Sequence, residues 1–191
     1  MAEMHILVEG FISDDDDDDH VRSTVGFIRD GETLVVIDPG MVPNAAAILD
    51  PLRALGVAPE QMTDVVLSHH HPDHTLKAAL FPNASVHDFW AEYVDDLWID
   101  REAERELSTG VRLLETPGHT PQDISTAVET DDGLVVFTHL WWTAEGPEDD
   151  PYSVDQEALH RNRERLLALP GLSRIAPGHG PAFVPGSETP R

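Results

Sequence analysis

The segment Ser68-His69-His70-His71-Pro72-Asp73-His74 gathers four imidazoles and a carboxylate within seven residues. On an extended backbone His69 and His71, two apart, face the same way. Asp73 and His74 follow on a turn and can aim at a second point. Imidazole and carboxylate suit zinc, with iron and manganese as competitors. The chain has no cysteine, so thiolate ligands and cysteine nucleophiles drop out together. A lone histidine is more often a satisfied core or surface residue. The His-x-His-x-Asp-His order is more specific, and further histidines recur downstream at His119, His139 and His179.

The elements around these histidines are what a rigid site needs. Five of them, His69, His71, His119, His139 and His179, directly follow a strand-like run or its end turn, and His74 lies just beyond one. The runs Met4–Ile12, Ser23–Arg29, Thr33–Ile37, Asp64–Leu67, Ala84–His87, Val111–Glu115, Ser125–Glu129, Leu134–Thr138 and Ser173–Ala176 read as strands. Asn44–Leu55 reads as a helix ending at Gly56, and Asp155–Leu169 as a helix with Asp155 as N-cap. Thr75–Leu80 reads as a short helix, and Phe89–Glu106 as mixed and partly helical. This order suits two sheets with helices packed outside, not a doubly wound sheet.

His69-His70-His71-Pro72-Asp73-His74 resembles the HxHxDH motif of the metallo-β-lactamase superfamily. The resemblance extends along nearly the whole chain. Val35–Gly40 is similar to the family's early strand ending in Asp-x-Gly. Thr116–Thr120 resembles the segment bearing its third histidine, Leu134–Trp142 the strand ending at its metal-bridging aspartate, and Pro177–Gly180 the segment bearing its last histidine. The ending Ala176–Phe183 is similar to the metallo-β-lactamase domain-containing protein 1 group. The resemblance implies an α+β fold, an αββα sandwich of two mixed sheets flanked by helices, as one domain over residues 1–191. It implies His69, His71 and His119 around a first Zn2+, and Asp73, His74 and His179 around a second, with Asp38 orienting ligands or backbone behind them.

One position departs from that pattern. His139 stands where most hydrolytic members carry aspartate. A carboxylate can bridge two ions, whereas a neutral imidazole offers one lone pair. His139 is therefore expected as a terminal ligand of the second ion, the alternative being that it swings away from a one-ion site. The change also raises the net positive charge of the centre by one. Among the aromatics, Trp141 and Trp142 follow closely on His139, after Leu140, and are expected to wall a substrate pocket, or to split between core and surface. Trp90 and Trp98 are expected in core or lid packing. The run Asp14–Asp19 reads as a solvated loop tip.

The 191 residues carry 12 basic and 36 acidic side chains, a formal charge of −24. Affinity for nucleic acid or anionic membranes rests on clustered Lys and Arg, which this balance disfavours. Met1–His5 lacks a basic, apolar leader, and no apolar run approaches a membrane span, so a soluble cytoplasmic protein is expected. A bound metal lowers the pKa of water toward neutrality. Asp73 is the expected catalytic carboxylate, accepting a hydrogen bond from the nucleophile or passing its proton to the leaving group. No G-x-S-x-G elbow offers a serine nucleophile. The sequence thus points to a metal-dependent hydrolase of a small-molecule ester, thioester, lactone or amide. A phosphodiesterase or nuclease of the same fold, and a non-catalytic metal-binding module, are the alternatives.

Overall fold

The computed structural model describes residues 1–13, 20–101 and 104–191. The run Asp14–Asp19 lies outside the described residues. The chain opens with strands Glu3–Val8 (β1), Phe11–Ile12 (β2), Val21–Arg22 (β3), Val25–Asp30 (β4) and Thr33–Ile37 (β5), then helix Ala46–Ala54 (α1). Asp64–Val66 (β6), the one-turn helix Pro72–Thr75 (α2), Ser85–His87 (β7), Ala91–Val94 (β8) and Leu97–Asp100 (β9) follow. The remainder holds Glu104–Ser108 (β10), Val111–Glu115 (β11), Ile124–Thr130 (β12), Gly133–Thr138 (β13), helix Gln156–Leu167 (α3) and Leu172–Pro177 (β14).

Two mixed sheets face each other. One runs β1-β4-β5-β6-β7-β8-β9 and the other β10-β11-β12-β13-β14, with β2 and β3 a separate hairpin. The alternation of side chains along each strand sorts them into layers. In β5, Val35 and Ile37 point to the middle, against Leu113, Val128, Val135 and Phe137 of the second sheet. Val36 points the other way, with Phe27 and Val65, and is covered by Ile48 and Leu52 of α1. On the far side Leu134, Val136 and Ile175 are covered by Leu159 and Leu166 of α3. The layers are therefore helix, sheet, sheet, helix. No helix among the described residues is long and apolar enough to cross a membrane.

The strand order delivers the site. β5–β6 and β13–β14 pair in parallel, so adjacent strands end at the same edge. Asp38, His69, His139 and His179 lie just past the ends of those four strands. Backbone hydrogen bonds then tie the two sheets there: Ile124 N donates to Ser68 O at 2.8 Å and Thr24 N to Gly178 O at 2.8 Å.

Three local expectations change. The partly helical reading of Phe89–Glu106 gives way to the hairpin β8–β9 and the start of β10. Its turn is Asp95-Asp96, with Asp95 at φ 53°, and Tyr93 packs across on Trp98 at 4.8 Å. Aromatic cross-strand pairs and an aspartate tolerant of positive φ favour a hairpin there. Trp90 and Trp98 are consequently 42% and 59% exposed, outside the core. The short helix at Thr75–Leu80 instead starts at Pro72, whose ring suits a first helical position, and a separate 3-10 turn covers Ala78–Leu80.

Candidate metal centre

Six of the seven expected ligand side chains converge through imidazoles. Ligand atoms of His69, His119 and His139 lie within 4.8 Å of one another, and so do those of His74, His139 and His179. All five of these residues are buried. His71 joins the first group, its Nδ1 lying 3.1 Å from His119 Nε2. Asp73 joins the second: its Oδ2 is 3.3 Å from His74 Nε2 and 3.7 Å from His179 Nε2. His139 belongs to both groups. Its ring stacks on His119 at 4.1 Å, and its Nε2 lies 2.9 Å from His179 Nε2.

Outer partners fix which nitrogen of each ring faces inward. His74 Nδ1 donates to Asp38 Oδ2 at 2.8 Å, His119 Nδ1 to Asp150 Oδ2 at 2.7 Å, and His179 Nδ1 to the carbonyl of Arg22 at 3.0 Å. Carboxylates and carbonyls only accept, so these three rings carry a proton on Nδ1; His119 and His179 then turn an Nε2 lone pair to the interior, while His74 Nε2 faces the Asp73 carboxylate. Asp38 also accepts from Ser68 N at 2.7 Å, locking the backbone just before His69.

Two close approaches depend on glycine. A Cβ on Gly40 would lie 1.6 Å from Asp73 O, and one on Gly178 2.7 Å from the His139 ring.

Electrostatics agree with a cation-seeking pocket. Burial, reinforced by neighbouring imidazoles, pushes His69 and His139 well below the usual range and His179 down to about 4. They are held neutral, as metal binding requires. Burial disfavours charge on His74 too, but the Asp38 and Asp73 carboxylates outweigh it and raise that ring to about 9. Burial likewise opposes charge on Asp73, yet the His74 hydrogen bond and charge bring it down to about 2. Finally, buried His69 Nε2 and His139 Nδ1 have no hydrogen-bond partner. Such orphaned nitrogens are costly unless something accepts their lone pairs. The donor set therefore fits a metal.

Metallo-β-lactamase domain-containing protein 1 of Xenopus laevis is 31% identical over 189 residues, which cover 94% of this chain and 80% of that protein. The chain belongs to the metallo-β-lactamase superfamily. The superfamily's model matches residues 18–104. The mouse metallo-β-lactamase domain-containing protein 1 is 36% identical over 166 residues, covering 81% of this chain and 62% of the mouse protein. A Thermotoga maritima protein provisionally described as a metallo-β-lactamase shares the fold at TM-score 0.76 and 20% identity, covering 96% of this chain and 99% of its own. A dizinc quorum-quenching lactonase, solved with an N-acyl-homoserine product, shares it at TM-score 0.61 and 18% identity, covering 85% and 73%.

In this superfamily member a cavity of about 260 Å3 opens over the histidines, lined by His71, Asp73, His119, His139 and His179 together with Ile12, Val21, Trp142 and Tyr152. Trp142 and Tyr152 stack at 5.6 Å. Trp141 does not line it. That side chain is fully buried in the core beside Leu159 and Leu166, its Nε1 donating to Pro190 O at 2.9 Å. Adjacent residues leaving a strand end point to opposite sides, and the larger apolar space lies under α3.

Asp150 and Tyr152 were not marked by any spacing. They sit in the loop Gly146–Pro151 and just beyond it, a stretch that reads only as acid- and proline-rich. Arg163 of α3 fixes that loop, donating to Leu140 O, Glu148 O and Pro147 O at 2.8, 2.6 and 2.7 Å. The one available signal was general: a ligating histidine needs an acceptor behind its second ring nitrogen, and the sequence alone does not say which residue serves His119. His70 turns away from the centre and pairs with Asp88 at 2.9 Å.

Proposed function

We propose that this protein is a metal-dependent hydrolase that uses activated water on a small-molecule ester, thioester, lactone or amide. The observation that carries the reading is the convergence of six imidazoles at one open cavity, among them the neutral, partnerless His69 Nε2 and His139 Nδ1. The likeness of the fold to a dizinc lactonase supports it.

In this reading His69, His71 and His119 would hold one ion, and Asp73, His74 and His179 a second, with His139 completing the second set. Bound zinc, or iron or manganese in its place, acidifies a coordinated water and polarises the carbonyl under attack. The chain's own residues do the rest. Asp38 and Asp150 hold two of the rings at fixed orientation. Asp73 stays ionised at neutral pH and offers an acceptor oxygen to the nucleophile's proton on its way to the leaving group. The stacked Trp142–Tyr152 pair, with Ile12 and Val21, supplies apolar walls that keep bulk water from the reacting carbonyl.

Hydrolysis of a panel of p-nitrophenyl esters, γ-lactones and acyl thioesters by the metal-loaded protein tests this. Turnover of at least one class, abolished in His71→Ala, is expected. Inactivity on all of them with ions bound, or turnover unchanged in His71→Ala, contradicts it.

A further inference from the structure

A second cavity lies beside the first and is larger, about 430 Å3. Phe11, Val21, Met41, Val42, Pro43 and Leu76 give it apolar walls. Val21 lines both cavities. The segments that build it are those that place the metal-site carboxylates: Met41 N donates to Asp73 O at 3.0 Å and Lys77 N to Pro39 O at 2.8 Å.

Two cations also line this space, Arg22 and Lys77. Lys77 is the only lysine of the chain. Several of the scarce arginines pair with the abundant carboxylates, as Arg53 does with Asp50, Arg105 with Glu92 and Arg165 with Glu104. Arg22 lies instead 4.4 Å over the Phe11 ring, with its Nε on Glu9 O at 3.0 Å. Neither Arg22 nor Lys77 forms an ion pair with a carboxylate among the described residues. In a chain of −24 net charge, two cations without a carboxylate partner among the described residues, set among apolar walls, favour an anion with an apolar body.

We propose that this cavity binds an aliphatic carboxylate, its chain against Met41, Val42 and Leu76 and its anionic end at Lys77 and Arg22. Resting on the hydrolase reading, it receives the tail of the substrate whose scissile group lies over the histidines. The substrate class is then an amphiphile with an anionic end remote from the bond cleaved.

Isothermal titration calorimetry with decanoate, butyrate and decyltrimethylammonium, on metal-free and zinc-loaded protein, tests the site apart from catalysis. Decanoate is expected to bind both forms alike, and butyrate and the ammonium at least about tenfold more weakly. Losing the charged hydrogen bond in Lys77→Met is expected to weaken decanoate about tenfold, and Lys77→Arg to restore it. Arg22→Met should act as Lys77→Met does, giving a second variant at a half-buried side chain. Decanoate should also compete with p-nitrophenyl decanoate for turnover. The proposal is overturned by any of three results: no decanoate binding, affinity indifferent to both substitutions, or binding that vanishes with the metal. Bound decanoate that fails to compete overturns the assignment as a substrate path.

Discussion

The Asp150 carboxylate oxygen that receives His119 Nδ1 at 2.7 Å also receives the Trp142 indole N–H at 2.9 Å. One buried acid thus sets both a candidate ligand and a wall of the cavity above it. Replacing it as Asp150→Asn keeps the volume but removes the charge that favours the Nδ1-protonated ring. Zinc affinity is expected to fall about 10–100-fold. Competition against a chromophoric chelator measures this, and an unchanged affinity would remove Asp150 from the account.

His139 lies in both histidine groups, and as an imidazole it cannot serve two ions through one lone pair. His139→Asp restores a two-oxygen anion at the shared position. Retention of a second ion through dialysis is expected to rise, as read by elemental analysis per chain. A variant that holds no more metal than the parent would show that the second ion does not depend on this position.

Trp141 and Trp142 are neighbours with opposite fates, one sealed under α3 and one beside the histidines. Truncating a buried aromatic costs about 3–5 kcal/mol. Trp141→Ala is therefore expected to lower the unfolding free energy, read from urea titration, by about that amount. Trp142→Ala should act chiefly on KM for hydrolysis. Equal losses of stability from both would contradict the split.

Asp30 closes the first sheet onto the second, accepting from Ser108 Oγ at 2.6 Å and Gly110 N at 2.8 Å. Those two hydrogen bonds hold its carboxyl below the ordinary 3.8. A depressed acid stabilises the fold above its unfolded pKa, and that contribution fades as pH falls through the folded one. Asp30→Ala is expected to cost about 1 kcal/mol at pH 7 and progressively less below about pH 4. Denaturant titrations at both pH values check the sign, and a gap that widens in acid would reverse it.

Much of the layered fold was legible because β-branched runs such as Thr33–Ile37 and the well-capped Asp155 helix each have one strong local solution. The ligand candidates were legible because His69, His71, His119, His139 and His179 all trail strand ends. The hairpin at Ala91–Asp100 was not, since acidic and aromatic residues mixed there give no clean period, and tertiary pairing of Tyr93 with Trp98 decides it. Asp150 was hidden for a different reason. Its role arises only when Arg163 draws the 147–150 backbone over His119, a contact between residues far apart in sequence.

The central claim, that the histidine cluster exists to hold catalytic metal, is tested most directly by metal quantification. Protein grown without added zinc is analysed for zinc, iron and manganese per chain, then reconstituted and assayed on the ester, thioester and lactone panel. The account predicts at least one ion per chain, loss of that ion in His69→Asn with His119→Asn, and hydrolysis that returns with metal. Less than one ion per chain together with inactivity after reconstitution would contradict it.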